Sequence, residues 1–187
     1  TRLASDMKNA ETRLKNLQDA LTLHDLKNIG ENQIAFGTDT LAVGNNSIAM
    51  GYKAISVGKD TVSVGARNQS TGEAITALGQ DLVTNGNKNI SIGNTNVING
   101  ENNIVFGRNN NIGESGDANK SNNNIVLGSN ITVSKDVTNS ITLGDASTPV
   151  SNAISVGSTG SERQIKNVKD ATDNQDAVTY KQLKEYL

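Results

Sequence analysis

Eleven glycines stand seven residues apart in this chain, at positions 37, 44, 51, 58, 65, 72, 79, 86, 93, 100 and 107. Ahead of most of them two apolar residues flank one small residue, as in Ile34-Ala35-Phe36-Gly37, Leu41-Ala42-Val43-Gly44, Ile48-Ala49-Met50-Gly51 and Ile55-Ser56-Val57-Gly58. Alternation of period two within each unit predicts a strand of three or four residues, and the glycine after it predicts a turn that needs a backbone without a Cβ. Short strand, polar turn and short strand, repeated without interruption, is the pattern of a solenoid. The apolar pair is expected to face inward. The small middle residue, Ala35, Ala42, Ala49, Ser56, Ser63, Ala77 or Ser91, is expected to face outward, where it lets another backbone come close.

After Gly65 the two halves of each fourteen-residue pair become unequal. Thr76/Leu78, Ile90/Ile92 and Ile104/Phe106 stay mostly apolar, whereas Gln69/Thr71, Val83/Asn85 and Val97/Asn99 do not. One turn of the solenoid therefore holds two seven-residue halves, the weaker facing solvent or a wetter interior. Past Gly107 the glycine spacing lengthens, but Ile125/Leu127, Ile141/Leu143 and Ile154/Val156 keep the form of the pair. Longer turns on an intact coil account for this. The longest is Arg108 to Asn124. About nine turns between Glu31 and Gly160, stacked at the strand spacing, predict a rod of roughly 45 Å.

The ends differ in kind from the middle: 19 of the 36 charged residues fall within 1–29 and 161–187. Leu3, Met7, Ala10, Leu14, Leu17 and Leu21 alternate four and three, the spacing of a coiled-coil seam, and His24 continues the register. At the other end Tyr180, Leu183 and Leu187 repeat the spacing in a helix expected over Ala177 to Leu187, with Asp173 or Asp176 as its N-cap. A helical seam at each end, with a thin coil between, favours several identical chains running in parallel.

Several classes of function are disfavoured. A net charge of −2 gives no basic footprint for nucleic acid, and the absence of cysteine removes disulfides, thiolate zinc sites and thiol nucleophiles. No apolar run approaches the length of a membrane span. Left-handed acyltransferase solenoids need six-residue spacing and a histidine in the coil, and here the spacing is seven and the single histidine, His24, precedes it. Asp170, Asp173 and Asp176 lack the alternating ligand spacing of a calcium loop and fit capping better.

The unit Asn46-Ser47-Ile48-Ala49-Met50-Gly51, with variants at Asn89 to Gly93, Asn103 to Gly107 and Asn139 to Gly144, resembles the head repeat of trimeric autotransporter adhesins, the YadA-like family of Gram-negative surface proteins. Ile165-Lys166-Asn167-Val168 and Asp176-Ala177-Val178-Thr179-Tyr180-Lys181-Gln182-Leu183 are similar to the neck that follows such heads. The resemblance covers residues 31–187. It implies a left-handed parallel β-roll in each of three chains side by side, with a coiled-coil helix at 1–29, a head at 30–160 and a neck entering the stalk at 161–187. It further implies display on the outer membrane by an anchor beyond this sequence, no enzymatic chemistry and no cofactor. The partners it implies are a host-cell receptor, such as an immunoglobulin-like receptor of the carcinoembryonic-antigen class, or collagen or fibronectin.

Candidate ligand-binding residues are those of the long polar turn: Arg108, Asn110, Glu114, Asp117 and Lys120. The flat flank of the roll is the competing surface, and several copies of it would add avidity. The other reading of the region is a spacer that holds a different head away from the membrane.

Overall fold

The computed structural model describes residues 2–25, 31–114, 116 and 121–187, and within 17–25 the helical backbone alone. Helix α1 spans Arg2–Asp25. Among the described side chains of its seam, Leu3, Met7 and Leu14 are 71%, 58% and 58% exposed.

The predicted coil is present as two parallel sheets. Ile34–Phe36, Ile48–Met50, Val62–Ala66, Thr76–Gln80, Ile90–Asn94, Ile104–Arg108, Ile125–Ser129, Ile141–Leu143 and Ile154–Ser155 stack in that order as a nine-strand sheet. Leu41–Ala42, Ile55–Val57, Gln69–Thr71, Val83–Asn85, Val97–Asn99, Asn111–Ile112 and Thr132–Val133 form a seven-strand sheet. From Ile34 to Leu143 each strand is followed by one in the other sheet, and Ile154–Ser155 then returns to the nine-strand sheet beside Ile141–Leu143. Partners sit one turn apart, with Ile48 beside Val62 and Val62 beside Thr76. Ile104 pairs with Ile125 across the long turn, so the insertion leaves the ladder intact. Eight steps of about 4.8 Å between nine strands give a stack of roughly 38 Å.

The pleat runs opposite to the expected phase. In strand after strand the middle residue is the buried one: Ala42, Ala49, Ser56, Ser63, Ala77 and Ser91 are each fully buried. The flanking aliphatics point away from the roll, with Phe36 64%, Met50 38% and Leu127 53% exposed. The reason is thickness. The space between the two sheets takes one inward side chain from each strand, and at these turns a layer of Ala and Ser fills it. Further along, the interior accepts larger groups and a cluster of Ile98, Val105, Ile112, Val126, Ile131 and Val133 forms.

The corners repeat one conformation. After each strand comes a glycine, and two residues later a residue with φ near +55°, such as Asn46, Asp60, Arg67 or Asn102. The left-handed region is tolerated best by Asn and Asp, which explains their frequency there. At Gly65, φ is +123° and an added Cβ would overlap the carbonyl of Gly79 on the next turn. The seven-residue glycine spacing therefore records where successive backbones touch.

The last corner residue turns inward and satisfies backbone groups that the sheets cannot reach. Asn96 donates from Nδ2 to the Gly107 carbonyl at 3.0 Å, and its Oδ1 accepts the Asn110 N–H at 3.1 Å. Asn110 repeats this with the Gly128 carbonyl at 2.9 Å and the Ile131 N–H at 3.0 Å. Asn89, Asn103 and Asn124 make the equivalent ladder at the opposite corner. Stacked asparagines do here what a strand pairing does elsewhere.

At the C-terminal end Arg163 lies over Gly144. Its Nη1 donates to Ser147 Oγ at 2.9 Å and to the Val156 carbonyl at 3.0 Å, and its Nη2 to the Asp145 carbonyl at 2.8 Å. Helix α2 spans Tyr180–Tyr186, three residues shorter at its start than expected, because Thr179 is the N-cap. Thr179 and Gln182 form a capping box. Asp176 is not the cap. Its carboxylate instead accepts the Thr172 and Asp173 N–H groups and shapes the preceding turn.

Candidate functional site

The long turn separates its proposed ligand residues rather than gathering them. Arg108 ends a strand of the nine-strand sheet and is exposed at one corner of the roll. Glu114 is exposed at the opposite corner, beyond the Asn111–Ile112 strand. Asn110 is 1% exposed and its amide is committed to the inner ladder, so it has no surface to offer a ligand. Asp117 and Lys120 lie outside the described residues.

The seam candidates Leu3, Met7, Ala10 and Leu14 are exposed on α1, and Tyr180, Leu183 and Leu187 are 73%, 47% and 94% exposed at the other end. The side chains of Leu17, Leu21 and His24 are outside the described set.

The two outer faces of the roll differ. On the nine-strand sheet the outward positions form two continuous files: Ile34, Ile48, Val62, Thr76, Ile90, Ile104, Ile125, Ile141 and Ile154, and beside them Phe36, Met50, Val64, Leu78, Ile92, Phe106, Leu127 and Leu143. These two files are apolar apart from Thr76, and at the strands' C-terminal ends Gln80, Asn94, Arg108 and Ser129 pair in register as a polar border. On the seven-strand sheet one file runs Leu41, Ile55, Gln69, Val83, Val97, Asn111 and Thr132, and the other, at its described pairings, Val57, Thr71, Asn85 and Asn99. Only its first two strands are apolar at both outward positions.

A file of charges runs along the corner where the nine-strand sheet hands over to the seven-strand sheet: Asp39, Lys53, Arg67 and Asp81, one per turn. Arg67 is held by Asp81 through Nε at 2.5 Å and Nη2 at 2.7 Å. That hydrogen-bonded pair raises the arginine pKa, and together with a hydrogen bond from Gln80 it lowers that of Asp81. Lys53 Nζ packs over the Tyr52 ring, 5.2 Å from its centroid. Between these side chains opens a groove of about 430 Å³ walled by Asp39, Lys53, Arg67 and Gln69, with Ile55 as its apolar part. Sequence reading missed this cluster, although the fourteen-residue spacing of its charges was the signal that could have found it.

In the neck Asp170 accepts from Thr179 Oγ1 at 2.8 Å and from Lys181 Nζ at 3.3 Å, and those bonds lower its pKa. Gln182 bonds both the N–H and the carbonyl of Ala171. These contacts fasten the extended neck to the start of α2.

Among the described residues no group of His, Asp or Glu is arranged to hold a metal, and no helix is long and apolar enough to cross a membrane. No family model and no curated protein sequence matches the chain. Among solved structures it matches the crystal structure of the collagen-binding domain of the Yersinia adhesin YadA. The match has a TM-score of 0.50 and 25% identity, and covers 83% of this chain and 75% of that one. The two-sheet roll thus has its structural counterpart in a solved adhesin head domain, and the fold it resembles is that of a YadA-like head.

Proposed function

We propose that this chain is the head region of a bacterial surface adhesin that attaches cells to a host receptor or matrix protein by multivalent contact. Its organisation is a helix at 1–29, a head at 30–160 and a neck opening into a coiled-coil stalk at 161–187. Three left-handed rolls stand side by side, displayed at the outer membrane by an anchor outside this sequence. The chain carries no enzymatic chemistry.

The observation that carries the reading is the likeness to a collagen-binding head in both repeat and fold. Collagen is therefore the first ligand to test, followed by fibronectin and immunoglobulin-like receptors. Assembly is supported by the two aliphatic files of the nine-strand sheet. Burying them recovers about 25 cal/mol for each Å² taken from water, and leaving so continuous an apolar face exposed is unusual for a monomer. Large side chains, rather than the small ones expected from sequence, would make this contact.

Light scattering of the purified chain should give three times its 19.6 kDa mass. A single-chain mass would overturn the trimer. Binding to immobilised collagen or fibronectin supports the adhesin. Cells that keep their display length but adhere unchanged after deletion of the head would favour the spacer.

A further inference from the structure

We infer that the N-terminal part of the seven-strand sheet's outer face is a protein-docking surface, one that takes a partner segment presenting an apolar side chain beside a carboxylate. The inference rests on the adhesin reading, in which the nine-strand face is covered by other copies and the seven-strand face stays outward.

Leu41, Val43, Ile55 and Val57 sit together on that outward face, half-buried only by their own neighbours. They are not needed to fill the roll, whose interior at these turns is closed by Ala42 and Ser56. On later strands of the same sheet at least one outward position is polar, as in Gln69/Thr71, Val83/Asn85 and Val97/Asn99, so only the first two strands are apolar at both outward positions. A bounded apolar patch with a polar surround is the anatomy of an interaction site.

Charge sets the second half of the partner's chemistry. Lys53 and Arg67 lie one turn apart along the wall of the groove beside Ile55. No carboxylate lies within ion-pair distance of Lys53 among the described residues, and Arg67 is fixed in place by Asp81 through Nε and Nη2, which leaves Nη1 to turn elsewhere. A carboxylate entering beside Lys53 is favoured and can also accept from Arg67 Nη1, although Asp81 already balances the arginine charge, while Asp39 at the N-terminal end of the groove repels it from that side. Two cations in one step form no track for a phosphate polymer, and the aliphatic floor calls for a side chain from a protein.

The test uses the assembled protein with collagen and fibronectin as immobilised probes. Ile55→Asp and Lys53→Glu change outward side chains and leave the core untouched, and Asn111→Asp on a distal strand of the same sheet is the control. Both patch variants should bind at least about tenfold more weakly, as for a residue central to an interface, while the control stays within about twofold. Raising salt should weaken wild-type binding more than that of Lys53→Glu. Equal binding by both patch variants overturns the inference and leaves the adhesin reading standing. A fall in assembly mass on Ile55→Asp also overturns it, because the patch would then lie between copies. Wild-type protein that binds neither probe removes the matrix-adhesin reading and the inference together.

Discussion

Asn103→Ala tests whether the inner asparagine ladder holds the roll together. The Asn103 amide donates to the Ser121 carbonyl at 2.8 Å and, through Oδ1, accepts the Asn124 N–H at 3.1 Å. It also bonds the Asn89 and Asn124 side chains, at 3.3 and 3.2 Å. Alanine would orphan the Ser121 carbonyl and the Asn124 N–H, both of residues fully buried. Each unsatisfied buried group costs about 1–3 kcal/mol, so the loss should be about 2–6 kcal/mol. With a urea dependence of about 2–3 kcal/mol per molar, the unfolding midpoint should fall by about 0.7–3 M. Asn103→Leu separates volume from hydrogen bonding. Ile75 occupies the same column two turns earlier, and Leu82 and Ile131 hold the matching position at the opposite corner, so an aliphatic side chain fits there, yet leucine leaves the same two groups orphaned. Both variants should therefore be destabilised. A loss below about 1 kcal/mol for alanine, or wild-type stability for leucine, would refute the assignment of the ladder as a structural element.

Gly65→Ala should cost more than about 3 kcal/mol, since it combines a positive φ with a collision against the Gly79 carbonyl. Gly160→Ala, where φ is +79° but no atom lies within 4 Å, should cost about 1 kcal/mol, and thermal melting of the two variants checks the contrast. Thr179→Ala removes the capping box of α2 and should cost about 1 kcal/mol of local stability, read as faster hydrogen exchange in Tyr180–Tyr186. Asp170 and Asp176 have pKa values below the ordinary 3.8, Asp170 through Thr179 and then Lys181, Asp176 through the backbone N–H groups of Thr172 and Asp173. Lowered folded values mean that their contribution is complete above 3.8 and is lost as pH falls through the folded values. The Thr172 and Asp173 amides, which Asp176 accepts, should accordingly lose protection below about pH 4 while the roll's ladder amides do not. Protection unchanged at pH values well below the folded ones would count against this account of the segment before α2.

The glycine spacing was enough to read the coil, its two halves per turn and the intact ladder beneath the lengthened turns. That legibility has a physical basis: a position where one backbone rests on the next admits no Cβ, so the period of the structure is written directly as a period in the sequence. The ends were legible too, because a seam spacing survives in exposed residues such as Leu3, Met7 and Leu183. The cap was misplaced from Thr179 to an aspartate because both residue types satisfy the capping rule, and only the bond between Thr179 and Gln182 separates them.

Which face of each strand turns inward lay beyond the sequence. Alternation states that Ile48 and Met50 share one side and Ala49 the other, and the usual rule then buries the larger pair. The roll reverses the rule because the space between its sheets takes one inward side chain from each strand, filled at these turns by Ala49 or Ser56, and leaves the flanking pair outside. The same limit places Asn110 inside and out of reach of any ligand. It also leaves Ile55 on the surface, where the fold brings it beside Lys53 and Arg67. Sequence alone determined the repeat and the path of the chain. The spacing between layers, which only the folded structure fixes, decided what lies inside and what a partner can meet.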